Sequence, residues 1–191
     1  MHIYNKIYHF IDEFKENELE KISIKNISII YRNYINKINF DEIIKLKKYC
    51  KKRGYKLFLA NNIKLAWKLD LDGAYIPSFN KKFTHNLFAT KKNFLLIGSS
   101  HNLSEILLKE KQGCKEIFLS PIFQIKKKNN YLGLSRFRIL SRSTNTKIIA
   151  LGGINNKNLK KLKISNASGF ASISYIKKNG PDKLGRFNFS F

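Results

Sequence analysis

Cysteine is scarce in this 191-residue chain: only Cys50 and Cys114 occur, far apart and without CxxC spacing, so neither a disulfide framework nor a zinc site is indicated. Long hydrophobic runs are missing as well. No apolar stretch approaches the roughly 18 residues a membrane span requires, and the N-terminal MHIYNKIYHFIDEF shows no apolar core followed by small residues, as a secretory signal would. The expectation is a protein of the reducing cytoplasm with no membrane partner. No GxGxxG follows the first apolar run, which removes the fingerprint of a dinucleotide-binding, doubly wound sheet. Acidic residues are also few, 13 Asp+Glu against 37 Lys+Arg, giving a formal net charge of +24 and a pI near 10.0. Such a balance raises nucleic acid as a partner. The lysines, however, are spread through nearly every segment, with only short runs such as KKK at 126–128, and no arginine-rich arm, zinc finger or aromatic RNP-like strand is present. A generally cationic surface suited to phosphorylated ligands is the favoured reading, and specific nucleic-acid binding is not expected.

What the sequence does contain is a regular alternation. Eight short runs rich in β-branched and aromatic residues read as strands: KIYHFI (6–11), NISIIYR (26–32), YKLFLA (55–60), GAYIP (73–77), NFLLIGS (93–99), KEIFLSP (115–121), KIIALGG (147–153) and GFASISY (169–175). Between them, FDEIIKLKKYCKKRG places Ile43, Ile44, Leu46 and Tyr49 near one helical face and stops at Gly54. NLSEILLKEKQG repeats the scheme and stops at Gly113, and a third helix is expected over NKNLKKLKIS. The segments after Ile11, Pro77 and Pro121 look abbreviated or irregular. Alternating strands and helices imply parallel pairing, and eight strands imply a single α/β domain over 1–191, a compact (β/α)8 TIM barrel with short or missing helices, since about 250 residues is typical for that architecture.

On such a barrel ligands sit at the C-terminal strand ends, and phosphate is frequently held by the loops after the seventh and eighth strands. The seventh run ends at Gly152-Gly153, where a missing Cβ lets backbone N–H groups approach an anion; Ser174 at the end of the eighth adds a hydroxyl. A plain tight turn is the competing explanation for the glycine pair. Its place at the seventh strand end favours phosphate binding.

Taken in order, these segments resemble the thiamine phosphate synthase and thiazole tautomerase family over nearly the whole chain. KIYHFID is similar to the family's first strand, IIYRNY to its second-strand Gln-Leu-Arg-Glu-Lys motif, and LANNIKLAWKLDLDGAYIPS to its third strand, following helix and fourth strand. IGSSHNLSEI resembles the fifth-strand exit, SPIFQIKKKNNYLGL the sixth-strand loop, and IALGGINNKNL with GFASISYI the two phosphate-binding strands. The resemblance implies a transferase of thiamine biosynthesis that joins hydroxymethylpyrimidine diphosphate to a thiazole phosphate with loss of pyrophosphate. It also implies Mg2+ as cofactor and small phosphorylated thiazole and pyrimidine substrates as partners; a homo-oligomeric state is left open.

The matches are lopsided. The family's two magnesium-binding aspartates fall on Asn61 and Asn80, both neutral and therefore poor magnesium ligands, so the metal site is unknown. In the second-strand motif Arg32 is kept, while Ile30 and Tyr34 stand where Gln and Lys would be; in the sixth-strand loop Lys128 remains. The resemblance makes Arg32, Lys128 and His101 the catalytic candidates, Gly152, Gly153, Ser174 and Ser99 the phosphate cradle, and Asn61, Tyr75 and Asn80 the substrate pocket. His101 is equally readable as a helix-start residue or a general base, and Tyr75 as a stacking or a space-filling ring. Loss of the pyrophosphate clamp also suits the tautomerase branch, or a non-catalytic barrel that binds a phosphorylated ligand or RNA. Asp12 is the one carboxylate placed at the catalytic rim; His2, His9 and His85 lie outside any cluster.

Overall fold

The computed structural model describes residues 6–22, 24, 27–34, 39–83, 93–125 and 130–172. Eight parallel strands close into a barrel in sequence order. They are β1 Ile7–Ile11, β2 Ile27–Tyr31, β3 Lys56–Ala60, β4 Gly73–Ile76, β5 Leu95–Ser100, β6 Glu116–Leu119, β7 Lys147–Leu151 and β8 Gly169–Ser172. The helices are α1 Glu16–Glu20, α2 Phe40–Arg53, α3 Ile63–Lys68, α4 Leu103–Lys111 and α5 Gly133–Arg142, with a 3-10 helix at Leu159–Ile164 between β7 and β8. The barrel expected from eight β-branched runs is therefore the fold, closed by the register Ile7↔Phe170 between β1 and β8.

Successive strand residues point to opposite sides, and this divides the core in two. Tyr8, Phe10, Ile30, Phe58, Tyr75, Ile97, Phe118, Ile149 and Ala171 form one buried cluster built from strands alone, which fills the lumen. Phe10, Tyr75 and Phe118 meet edge to face there, with centroids 5.3 to 5.9 Å apart. The alternate strand residues pack outward against Leu19, Ile43, Leu46, Ile106 and Phe137 from the helices. At the N-terminal end, buried Glu116 accepts from the Tyr8 hydroxyl at 2.5 Å and pairs with Lys6. Burial, and then the Glu116 charge, push the Tyr8 phenol far above its ordinary pKa.

Local chemistry explains the helix limits. Asn39 caps α2 by accepting from the Glu42 amide, and Gly54 ends the helix in the left-handed conformation at φ 68°. Asn62 and Asn102 cap α3 and α4 in the same way.

Two expectations need correction. The segment after Pro121 is not irregular throughout: α5 runs for ten residues, with Phe137 and Ser141 buried four apart on one face. The segment following the glycine pair is a 3-10 helix, because its buried residues, Leu159 and Leu162, are three apart and three residues per turn superimposes them. The segment after Ile11 is indeed short, a five-residue α1.

Candidate functional site

The loops at the C-terminal strand ends gather most of the expected residues at one mouth. After β1 and β2, Arg32 donates through Nε to Asp12 at 3.2 Å and lies over the Phe10 ring, 5.2 Å from its centroid. Among the described residues its two terminal NH2 groups have no hydrogen-bond partner, and they are suited to an anionic ligand. Tyr34, one turn of loop further on, meets Phe79 from the β4 loop at 5.6 Å in a near-perpendicular pair, and both rings are substantially exposed, 46% and 63%. With Asn33, Asn61 and Asn62 they border a cavity of about 450 Å³ between the β2, β3 and β4 exits.

Asn61 leaves β3 with a positive φ of 58°, a conformation asparagine tolerates better than most residues. Its amide donates to the Tyr75 carbonyl, and its side-chain oxygen accepts from Asn80 Nδ2 at 2.7 Å. The Asn80 side-chain oxygen accepts in turn from the Lys82 amide. The side-chain oxygens of Asn61 and Asn80 thus already hold protein donors. Asp12 is engaged by Arg32, and no group of three or more His, Cys, Asp or Glu that could hold a metal occurs among the described residues. These residues do not fit a magnesium ion, which needs hard anionic oxygen ligands.

Ser78 links the β4 loop to β5. Its amide donates to Ser99 Oγ at 3.0 Å, and its hydroxyl lies 3.3 Å from His101 Nε2. His101 Nδ1 is 2.7 Å from the Ser120 carbonyl, which can only accept, so in the neutral ring Nδ1 carries the proton and Nε2 is left as the acceptor. Its backbone amide donates to Glu105 in the first turn of α4. Tyr75, 5% exposed, is a lumen residue: its ring edges are taken by Phe10 and Phe118. Burial raises its phenol pKa, with the Ser99 hydroxyl and Arg32 pulling the other way.

Gly152 and Gly153 both adopt positive φ, 94° and 71°. A Cβ on Gly152 would come within 2.8 Å of Pro121 Cβ, and one on Gly153 within 2.6 Å of the Phe123 carbonyl oxygen. The β6 loop leans directly on this turn, donating from the Ile122 and Phe123 amides to the Leu151 and Gly152 carbonyls. The glycines are therefore required by packing and backbone conformation, whatever ligand the turn also receives. Lys128 and Ser174 lie outside the described residues.

The mouth thus gathers Arg32, Asn61, Asn80, His101, Gly152 and Gly153 on loops, with Ser99 at the end of β5 and Tyr75 in the lumen. Ser78, Phe79, Lys109 and Gln112 escaped sequence reasoning. Ser78 had a signal, a serine directly after the β4 run and Pro77; the other three had none, since their roles depend on partners distant in sequence.

The thiamine monophosphate synthase family model matches residues 15–176. A thiamine-phosphate synthase of Prochlorococcus marinus subsp. pastoris is 29% identical over 181 residues, covering 89% of this chain and 50% of its own length. One from Prochlorococcus marinus strain AS9601 is 29% identical over 192 residues, covering 94% and 49%. The chain therefore spans about half the length of these curated relatives. Among solved structures, a thiamine phosphate pyrophosphorylase from Pyrococcus furiosus superposes with a TM-score of 0.72 at 19% identity, covering 96% of this chain and 91% of that one; at this identity the likeness speaks to the fold. With the family model matching residues 15–176 on a closed eight-stranded barrel, the chain belongs to the thiamine monophosphate synthase family.

Proposed function

We propose that this chain acts in thiamine biosynthesis in the cytoplasm as a thiamine phosphate synthase-type barrel, binding a thiazole phosphate and joining it to hydroxymethylpyrimidine diphosphate. The observation that carries the reading is the family match over 15–176, with Gly152-Gly153 at the β7 exit. In this reaction the C–O bond between the pyrimidine methylene carbon and the diphosphate breaks, and its electron pair leaves with the diphosphate. The lone pair of the thiazole nitrogen forms the new C–N bond, and no proton transfer is needed.

The residues support the two halves of this reaction unequally. For the thiazole phosphate, the β7 turn offers backbone amides, with Ser174 and Lys128 as further donors. The leaving diphosphate would meet the free end of the Arg32 guanidinium, held over Phe10 by Asp12. The aromatic pair Tyr34 and Phe79 gives a flat-sided, uncharged recess for the pyrimidine ring. Where carboxylates and a metal would neutralise the leaving group, this chain has the amides of Asn61 and Asn80. Turnover is accordingly expected to be slow or absent.

A second reading, a thiazole tautomerase-like isomerase, draws support from His101, whose Nε2 is fixed as the acceptor by the Ser120 carbonyl behind it and is suited to take a proton from a ring carbon. An assay with both synthase substrates and magnesium, run beside conversion of the thiazole tautomer, tests both. Product only in the first supports the synthase, product only in the second and lost in His101→Ala supports the isomerase, and inactivity in both overturns catalysis.

A further inference from the structure

Lys109 lies on α4 with none of its surface exposed, an unusual place for an ammonium group. Its Nζ donates to the carbonyl oxygens of Pro77 and Asn80 and to Gln112 Oε1, each at 2.8 Å. Three N–H donors thus meet three neutral acceptors, and among the described residues no carboxylate stands within ion-pair distance. Gln112, equally buried, donates through Nε2 to the carbonyls of Asn80 at 3.0 Å and Lys82 at 2.8 Å. Two side chains of one helix end therefore hold three carbonyls of the loop that follows β4.

The opposite side of that same loop faces the mouth. Ser78 reaches Ser99 and His101 there, and Asn80 reaches Asn61. The lysine stem crosses β5 at Gly98, where a Cβ would sit 2.8 Å from Lys109 Cδ. A buried cation held by neutral acceptors is costly to keep. We propose that Lys109 is a positioning residue: with Gln112 it pins the β4 loop from behind, so that Ser78 and Asn80 are held against His101 and Asn61, and the mouth is ordered by a cation belonging to the protein rather than by a bound metal.

The effect on ligand affinity rests on the functional reading above, whereas the effect on the loop does not. Lys109→Met keeps the stem and removes all three donors. Hydrogen exchange across residues 77–83 is expected to accelerate at least tenfold with the barrel strands unchanged, and the Asn80 side-chain amide signal to lose its hydrogen-bonded shift. Gln112→Leu, which also serves if Lys109→Met does not fold, is expected to give a smaller acceleration confined to the same segment. Unchanged exchange at 77–83, or a uniform increase through the chain, overturns the proposal. In calorimetry with thiazole phosphate, a wild-type affinity lowered tenfold in Lys109→Met supports positioning, and equal affinity in the two overturns it. If the wild-type chain binds no thiazole phosphate, the functional reading falls and the exchange result alone decides the clasp.

Discussion

The side-chain amide of Asn80 donates to the side-chain oxygen of Asn61 across 2.7 Å, tying the loop after β4 to the loop after β3. Two carboxylates at these positions would repel each other unless a cation lay between them; two amides attract without one. The pair therefore joins the two loops without needing a cation between them.

Magnesium dependence follows from this pair. Wild-type thermal stability should be insensitive to millimolar magnesium. The double change Asn61→Asp with Asn80→Asp should be destabilised in chelator, through carboxylate repulsion, and recover stability with added magnesium as the ion binds the native state. Thermal melts across a magnesium titration check both. A fast magnesium-dependent synthase activity in the wild type would show that other groups have taken over the site.

The β7 turn gives a second expectation. Gly153→Val places a branched side chain at φ 71° and within 2.6 Å of the Phe123 carbonyl, so the β6 loop must move. The cost should be about 1–3 kcal/mol of stability, with thiazole phosphate affinity falling below detection. Gly54→Ala is the control, because Gly54 has a similar φ of 68° but open space around it. That change should cost about 1 kcal/mol and leave affinity untouched. Calorimetry and urea melts on the two variants separate backbone strain from loss of the anion site; unchanged affinity in Gly153→Val removes the turn from the phosphate assignment.

Lys109 imposes a pH dependence. Burial pushes its ammonium down from 10.5 to about 8, opposed by the negative charges that Cys114, once ionised, and the Glu105 carboxylate carry. The unfolded chain then holds more protons than the folded one between those values, so this group's contribution to stability is complete above about 10.5 and is lost as the pH falls through about 8. Wild type should therefore gain stability relative to Lys109→Met as pH rises across that window. The difference between their urea midpoints isolates the effect from Cys50 and most other titrating groups, and a flat difference would contradict it.

The surface charge gives a fourth. Duplex DNA and RNA should bind weakly, with no sequence preference, and affinity should collapse between 50 and 200 mM salt as about 10³–10⁵-fold losses do for multi-phosphate contacts. Fluorescence anisotropy at the two salt concentrations measures this; a sequence-discriminating complex at the higher one would restore a nucleic-acid role.

Much of the architecture was legible because strand-forming residues here are locally unambiguous: NISIIYR and KIIALGG are β-branched runs, and Gly54 and Gly113 end helices by adopting positive φ. The helix over Gly133–Arg142 carries the stripe Leu134, Phe137 and Leu140, but it opens without a capping side chain or an acidic first turn, so nothing in the sequence marked its start. Asn61 and Asn80 were recognisable as neutral residues, but their bond to each other depends on how two loops meet. Lys109 read as one more lysine in a lysine-rich helix, since its burial is decided by the loop carbonyls above it and by Gly98 beneath.

The contact between Gly98 and Lys109 also orders the substitutions open to this chain. Any side chain added at position 98 while Lys109 is present would strike its stem, and Cys114 Sγ, 2.9 Å from the same Cβ, closes the other way out. Shortening Lys109 removes only one of these two obstacles, and releases the loop carbonyls of Pro77 and Asn80. Glycine at 98 is thus tied to the clasp: as long as the loop carbonyls hold Lys109 in place, the strand beneath its stem can carry no side chain.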